Sequence, residues 1–147
     1  STPLLFHLAG FAGRVFDMHF MLQKEVVERM VAMPGTSDFG RLSVMLQYRF
    51  VMDWLLDVPP ESFDPAPKVD SAVVRLIPRP AAELTVKNEE KFAALVSAAF
   101  AQRRKMLRNN LKAILSDGDF EKLGIAPTAR AEQLSLEDYI RISNSLQ

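Results

Sequence analysis

The sequence lacks several residue types on which common functional sites depend. Its 147 residues include no cysteine and only two histidines, His7 and His19. Without cysteine, a disulfide framework, a thiolate metal site and a cysteine nucleophile are excluded. Two histidines leave little from which to build a zinc or haem site. We therefore predict no bound metal and interpret both histidines as structural.

Long apolar runs and an excess charge of one sign are also missing. The 18 Lys and Arg balance the 18 Asp and Glu, so any basic surface for a partner must be local. No apolar run reaches the roughly 18 residues of a membrane-spanning helix, and no signal-peptide pattern is visible. We therefore predict a cytoplasmic protein without membrane association.

Motifs of several enzyme classes are absent as well. The sequence contains neither a glycine loop that cradles phosphates nor a dinucleotide-binding fingerprint. Ser43, Asp53 and His19 do not have the spacing of a recognisable hydrolase triad. Evidence of function must therefore come from less common features.

Prolines and apolar patterns divide the chain into two predicted parts. Six of the nine prolines lie between positions 59 and 80, and they suit neither helix interiors nor central strands. Before Pro80 the patterns predict alternating elements: helices over 1–8, 24–31 and 41–50, and strands over 17–23, 51–58 and 71–78. This alternation favours an α/β layered fold.

After Pro80 only helical patterns occur. Asn88 suits a helix N-cap, and Ser135 with Asp138 resembles a capping box. A second apolar stripe, Leu107 to Leu115, is predicted to end near Gly118. We therefore predict an α/β domain over 1–80, a linker over 81–87 and a helical domain over 88–147.

The proline-rich loop from Val58 to Ser71 contains one aromatic residue, Phe63. A ring held on a stiff backbone could stack on an extruded nucleobase at little entropic cost. The loop could equally be a rigid connection, with Phe63 in the core. Both interpretations remain open at this stage.

A local group of cations is the second candidate feature. Five basic residues occur with no acidic residue between them: Arg103, Arg104, Lys105, Arg108 and Lys112. On one helix, positions 104, 108 and 112 would lie in a row, where like charges repel. RNA phosphates bound to that face would explain why this repulsion is tolerated. A helix face exposed to solvent is the simpler alternative.

Five segments of the sequence together resemble the ribosomal RNA adenine dimethyltransferase family, and in particular its small-subunit branch. They keep the family's order and cover the chain almost end to end: Asp17–Arg29, Asp38–Val44, Phe63–Arg75, Phe100–Arg108 and Gly124–Ser135.

The resemblance implies an α/β plus α fold that forms only the C-terminal half of such an enzyme. It would comprise the last part of a Rossmann-like methyltransferase sheet and a small helical RNA-binding domain. Strand 71–78, antiparallel, would lie between strands 17–23 and 51–58. The family's S-adenosylmethionine site is expected upstream of Ser1. We therefore expect no cofactor-binding residue in this chain and no activity from the chain alone.

The resemblance also implies a reaction and a partner. The parent enzyme, expected to be a monomer, would dimethylate N6 of two adjacent adenosines near the 3′ end of small-subunit ribosomal RNA in the pre-30S particle. Phe63 would stack on the target adenine and Lys24 would contact RNA. The basic residues at 103–105, 108 and 112 would contact phosphates.

Two alternatives stay open on the sequence alone. One is the antibiotic-resistance branch, which methylates an adenine of the large subunit. The other is a ribosome-assembly or transcription factor that uses the same fold only to bind nucleic acid.

Overall fold

The three strands in the described part of the protein form one antiparallel sheet. The structure, a computed structural model, describes residues 17–62, 64–65 and 68–146. Strands β1 (Met18–Gln23), β2 (Phe50–Val58) and β3 (Ser71–Pro78) lie in the order β1-β3-β2. Because β3 is antiparallel to both neighbours, β1 and β2 run in the same direction. The predicted central position of strand 71–78 is confirmed.

One face of the sheet carries the buried core of this region. Ala72, Val74 and Leu76 of β3 are almost completely buried, and they alternate with more accessible residues as strand geometry requires. The register of β2 shifts at a bulge between Trp54 and Leu56. A bulge leaves one residue unpaired and increases the local twist, and Leu55 and Leu56 are both exposed there.

Helix α1 (Lys24–Val31) begins directly after β1 and packs against the sheet. Its inward residues, Val27 and Met30, are fully buried. The last carbonyls of a helix lack intrahelical partners. The Gln47 amide, on helix α2 (Arg41–Arg49), donates to the carbonyls of Met30 and Ala32 at 2.9 and 2.8 Å and so satisfies two groups at the end of α1.

The chain forms two compact units whose boundaries do not follow a single cut. A sheet unit contains the described parts of 1–32 and 45–84, and a helical unit contains 33–44 and 85–146. The segment 33–44, which our prediction placed in the first domain, therefore groups with the helices. The last boundary, after Leu84, falls inside the predicted linker 81–87.

Four α-helices lie wholly within the described part of the helical unit: α3 (Glu89–Ala99), α4 (Leu107–Asn110), α5 (Asp117–Leu123) and α6 (Leu136–Ser145). The predicted Asn88 cap is confirmed, since its side chain accepts from the backbone N–H of Lys91 at 3.0 Å. The Ser135–Asp138 capping box is confirmed too.

The stretch after Leu107 differs from the prediction. The predicted long stripe is broken, because α4 ends at Asn110 and a new helix begins at Asp117. Gly118 lies inside α5 instead of ending a helix. Ser116 and Asp119 form a second capping box of the Ser–Asp type, and it starts α5. Gly124, with φ 69°, ends it in the left-handed conformation that glycine adopts without strain.

The core of the helical unit lies between α3 and α6. Phe92, Leu95 and Val96 of α3 are buried, as are Tyr139 and Ile142 of α6. The Tyr139 hydroxyl donates to the carbonyl of Ala131 at 2.6 Å. Burial raises the pKa of Tyr139 far above its ordinary value, so this hydroxyl stays protonated and remains a donor.

The described residues contain neither a helix suited to span a membrane nor a cluster of metal-binding side chains. None of their helices is long and apolar enough to cross a membrane. In the same ranges, no group of three or more His, Cys, Asp or Glu side chains is placed to hold a metal ion. The predicted helix over 1–8, which includes His7, lies outside the described residues.

Candidate functional site

The first part of the candidate site lies at one end of the sheet. Because β1 and β2 run in the same direction, their last residues, Gln23 and Val58, both pair with Ser71 at the start of β3. The loop 59–70 therefore starts and ends beside the beginning of α1. The backbone N–H of Lys24 donates to the carbonyl of Asp70 at 2.9 Å. Phe63 belongs to this loop but lies outside the described residues, so its role stays a prediction.

Lys24 has partners within the sheet unit. Its ammonium lies 3.7 Å from a carboxylate oxygen of Asp57 and 6.0 Å from the centroid of the Trp54 ring. The indole N–H of Trp54 donates to the other Asp57 oxygen at 2.7 Å. A carboxylate and an aromatic face thus hold the cation at the sheet end.

Sequence reasoning missed Trp54 and Asp57 because neither belongs to a functional motif. They are three residues apart on a bulged strand, and only the sheet register brings them to Lys24. The polar atoms of these three side chains bond one another. We assign none of them to S-adenosylmethionine.

The second part is the basic cluster of the helical unit, Arg103, Arg104, Lys105, Arg108 and Lys112. The predicted helical row of 104, 108 and 112 is wrong. Met106 is extended, with φ −66° and ψ 146°, so α4 begins only at Leu107 and it ends after one turn. Residues 103–105 lie in the preceding turn and Lys112 lies in the following one.

Arg103 differs from the rest of the cluster. Its guanidinium donates from one nitrogen to the carbonyls of Ser37 and Phe39, at 2.8 and 2.6 Å. It also lies 5.9 Å from the Phe100 ring centroid, and that ring packs edge-on against the buried Phe39. Arg103 therefore fastens the segment 33–44 within the helical unit.

The other four cations are exposed and open to a ligand. In the described part of the chain, their side chains form no hydrogen bond or ion pair with the protein. Arginine and lysine in this state can contact phosphate oxygens without first breaking an internal contact. Arg104, Lys105, Arg108 and Lys112 thus form an unneutralised positive surface, which we call the basic turn.

The chain is similar in sequence to a known protein family and to named relatives. A sequence model of the family described as "Ribosomal RNA adenine dimethylase" matches residues 1–147. The chain is 67% identical, over 146 residues, to ribosomal RNA small subunit methyltransferase A of Dechloromonas aromatica (strain RCB). That match covers 99% of this chain and 57% of the relative, so the chain spans little more than half the length of that relative.

Solved structures share the fold. The chain resembles a dimethyladenosine transferase from Plasmodium falciparum with a TM-score of 0.79 and 24% identity, over 97% of this chain and 61% of that one. It also resembles the 23S rRNA methyltransferase ErmE with a TM-score of 0.61 and 24% identity, over 89% of this chain and 55% of that one. At such identities the likeness establishes the fold alone.

Proposed function

Because the chain belongs to the ribosomal RNA adenine dimethylase family, we propose that it forms part of a small-subunit ribosomal RNA adenine N6-dimethyltransferase. The reaction would be the dimethylation of two adjacent adenosines near the 3′ end of that RNA, in the pre-30S particle. The observation that carries this proposal is the family match along all 147 residues. The 67% identity to a relative named for the small ribosomal subunit favours that branch over the large-subunit one.

The sheet supports a place at the end of a Rossmann-like methyltransferase domain. An antiparallel strand inserted between two strands of common direction is what the family resemblance predicts for the last three strands. In open sheets of this kind, ligands bind beyond the carboxyl ends of the parallel strands. The Phe63 loop and Lys24 are attached at that end.

The chain's own contribution to the chemistry would be to hold the adenine. The exocyclic amine is a weak nucleophile because its lone pair is delocalised into the ring. Phe63 would stack on the extruded base, and Lys24 would attract the neighbouring backbone phosphate while Asp57 holds its ammonium. Fixing the amine in one orientation supplies much of the rate enhancement in such transfers. The methyl group would come from S-adenosylmethionine, whose binding residues we do not assign to this chain.

The basic turn would supply most of the affinity of the helical unit for RNA. Arg104, Lys105, Arg108 and Lys112 would bind phosphates without reading sequence. Arg103 would act indirectly, because its guanidinium is already held by two carbonyls. A ribosomal RNA substrate also favours a cytoplasmic location, and we propose that the parent enzyme acts as a monomer.

A chimeric enzyme tests the function directly. The 67% identity allows this chain to replace the matching segment of the Dechloromonas aromatica relative. We expect the folded chimera to transfer labelled methyl groups to adenosines of immature small subunits. A folded chimera that labels only large-subunit RNA, or no RNA, would contradict the proposal.

Phe63→Ala in the chimera tests the role of the loop. Base–aromatic stacking is worth roughly 1–3 kcal/mol, so turnover should fall by about tenfold or more at unchanged melting temperature. Val69→Ala, at an exposed position of the same loop, is the matched control and should leave turnover near that of the parent chimera. Retained turnover with a large stability loss would identify Phe63 as a core residue.

A further inference from the structure

A cleft of about 580 Å³ lies in the helical unit beside helix α5. Its apolar lining includes Phe120, Ile125 and Pro127. Phe120 and Ile125 belong to the core and are almost fully buried, so this lining is held in place. The volume is within the usual range for small-molecule sites, about 300–1,000 Å³. The cleft is therefore large enough for a small organic group and has a partly apolar lining.

Three charged side chains also line the cleft: Arg108, Asp117 and Glu121. Within the described residues, none of these side chains forms a hydrogen bond or an ion pair. A guanidinium offers only donors and a carboxylate offers only acceptors. The cleft therefore presents the unbonded donors of Arg108 and the unbonded acceptors of Asp117 and Glu121, and these charged groups do not pair with one another.

These groups define the ligand they would recognise. It needs a planar body, two acceptors in line for an arginine, and donors on another edge for a carboxylate. Among RNA bases, guanine offers O6 and N7 to arginine and N1–H and N2–H₂ to a carboxylate. Adenine and uracil have neither paired edge, and cytosine has adjacent acceptors but only one donor position. In a base-paired guanine the N1 and N2 donors are already used.

We propose that this cleft binds an unpaired guanine of the RNA, with Arg108 on O6 and N7 and with Asp117 or Glu121 on N1 and N2. The proposal rests on the proposed RNA function and adds a base-specific subsite to it. Arg108 would thereby leave the phosphate-binding set. Arg104, Lys105 and Lys112, close to it in sequence, would hold the flanking phosphates.

The test uses the 147-residue chain and short single-stranded RNAs in fluorescence anisotropy. A uridine-rich oligonucleotide carries one central guanine, or in its place inosine, 7-deazaguanine, adenine or cytosine. Inosine lacks the N2 amine and 7-deazaguanine lacks N7. We expect the guanine RNA to bind about tenfold more tightly than each of the others, the size of one bidentate contact.

Variants locate the effect. Glu121→Gln combined with Asp117→Asn should remove the preference for guanine over inosine. Arg108→Gln, which removes the guanidinium, should remove the preference over 7-deazaguanine. Lys112→Gln is the control and should weaken binding of all five RNAs while their order stays the same. Circular dichroism confirms that each variant is folded.

The outcomes separate the two proposals. Equal binding of all five RNAs by the unchanged chain would overturn the guanine subsite but leave the RNA function standing. A preference for adenine or cytosine would overturn the assignment to guanine. A guanine preference that survives in the folded cleft variants would overturn the location. Failure to bind any of the RNAs would count against both proposals.

Discussion

The two units of the molecule use their apolar residues differently. The helical unit encloses a core in which Phe92, Leu95 and Tyr139 are almost wholly buried. The sheet unit leaves one face accessible: Met21 is 53% exposed and Leu56 is 52% exposed. Both lie next to Val73 on that face, since Val73 is the register partner of each. One unit covers its own core, whereas the other has an apolar face still open to a partner.

The two units also differ in whether the ends of their helices and the edges of their strands have hydrogen-bond partners. In the helical unit, side chains of Asn88, Ser116 and Ser135 cap the first turns of three helices. In the described part of the sheet unit, β1 and β2 each have a strand neighbour on one side only. Open edges and exposed apolar faces are where chains associate. The comparison predicts that stability resides mainly in the helical unit and association mainly in the sheet unit.

The largest expected effect is in the helical core. Phe92→Ala should lower the free energy of unfolding by about 3–5 kcal/mol, because it removes a buried ring and leaves a cavity. Chemical denaturation measures the change. Leu56→Ala on the exposed sheet face is the control and should change stability by less than about 0.5 kcal/mol. Equal losses in the two variants would break the comparison.

Arg103 and Arg104 are adjacent in sequence but differ in their contacts, so they separate stability from RNA binding within the helical unit. Arg103→Ala removes two charge-assisted hydrogen bonds to carbonyls, so we expect a loss of about 1.5–3 kcal/mol in stability. Arg104→Ala, the matched control, should leave stability unchanged and lower RNA affinity. For Arg104→Ala, the slope of log RNA affinity against log salt concentration should become shallower by roughly 0.7–0.9, which is the contribution of one phosphate contact. Exchanged effects of the two variants would refute the division of roles.

A smaller expected effect is a loss of stability at low pH. Burial alone would raise the pKa of the Asp138 carboxyl, but the Ser135 backbone N–H and Arg141 outweigh it and hold the pKa below the ordinary value of 3.8. The unfolded chain therefore binds the proton first as pH falls. The stabilisation is present above about pH 4 and is lost as pH falls through the lower pKa of the folded state.

Asp138→Asn tests this linkage. We expect it to cost about 0.3–1.5 kcal/mol at pH 7, the usual value of a capping interaction. The difference from the unchanged protein should shrink as the pH is lowered from 5 to 2. Denaturation curves at several pH values measure it. A difference that is constant over this range would show that Asp138 does not carry the acid sensitivity.

The smallest stability change is expected on the open face of the sheet. Leu56→Lys should reduce concentration-dependent self-association in sedimentation velocity, with stability within about 0.5 kcal/mol of the original. Ser97→Lys adds the same charge at an exposed position of α3 and is the matched control. If both variants reduce association equally, net charge and not the apolar face is responsible.

Local patterns were enough to predict most of the elements. The strands predicted at 17–23, 51–58 and 71–78 differ from the observed ones by one residue at most, because short apolar runs are bounded by prolines and charged residues. Caps with a side chain three residues from its partner, as at Ser135 and Asp138, can also be found from sequence. The order of the strands came from the family resemblance and not from any local pattern.

Features set by distant contacts were not predicted. Arg103 looked like one of five equivalent cations, and only the fold shows that its partners are carbonyls more than 60 residues earlier. The same contacts place 33–44 in the helical unit. The error at Gly118 has a local cause instead. Glycine commonly follows the end of a helix, but here the Ser116–Asp119 capping box starts a helix that includes Gly118. The cleft beside α5 was not predicted either, because only the fold brings Arg108 to the segment 117–127.

The middle position of β3 has a consequence for how the protein folds as it is made. β1 and β2 leave the ribosome first, but neither pairs with the other, and both must wait for Ser71–Pro78. β2 is joined to β3 by the short loop 59–70, so that hairpin has the smaller closure entropy and should form first. β1 and the buried face of α1 then wait while 24–70 are synthesised, roughly 2–10 s at usual elongation rates. Among these three strands, the sheet is therefore completed from its last strand backwards.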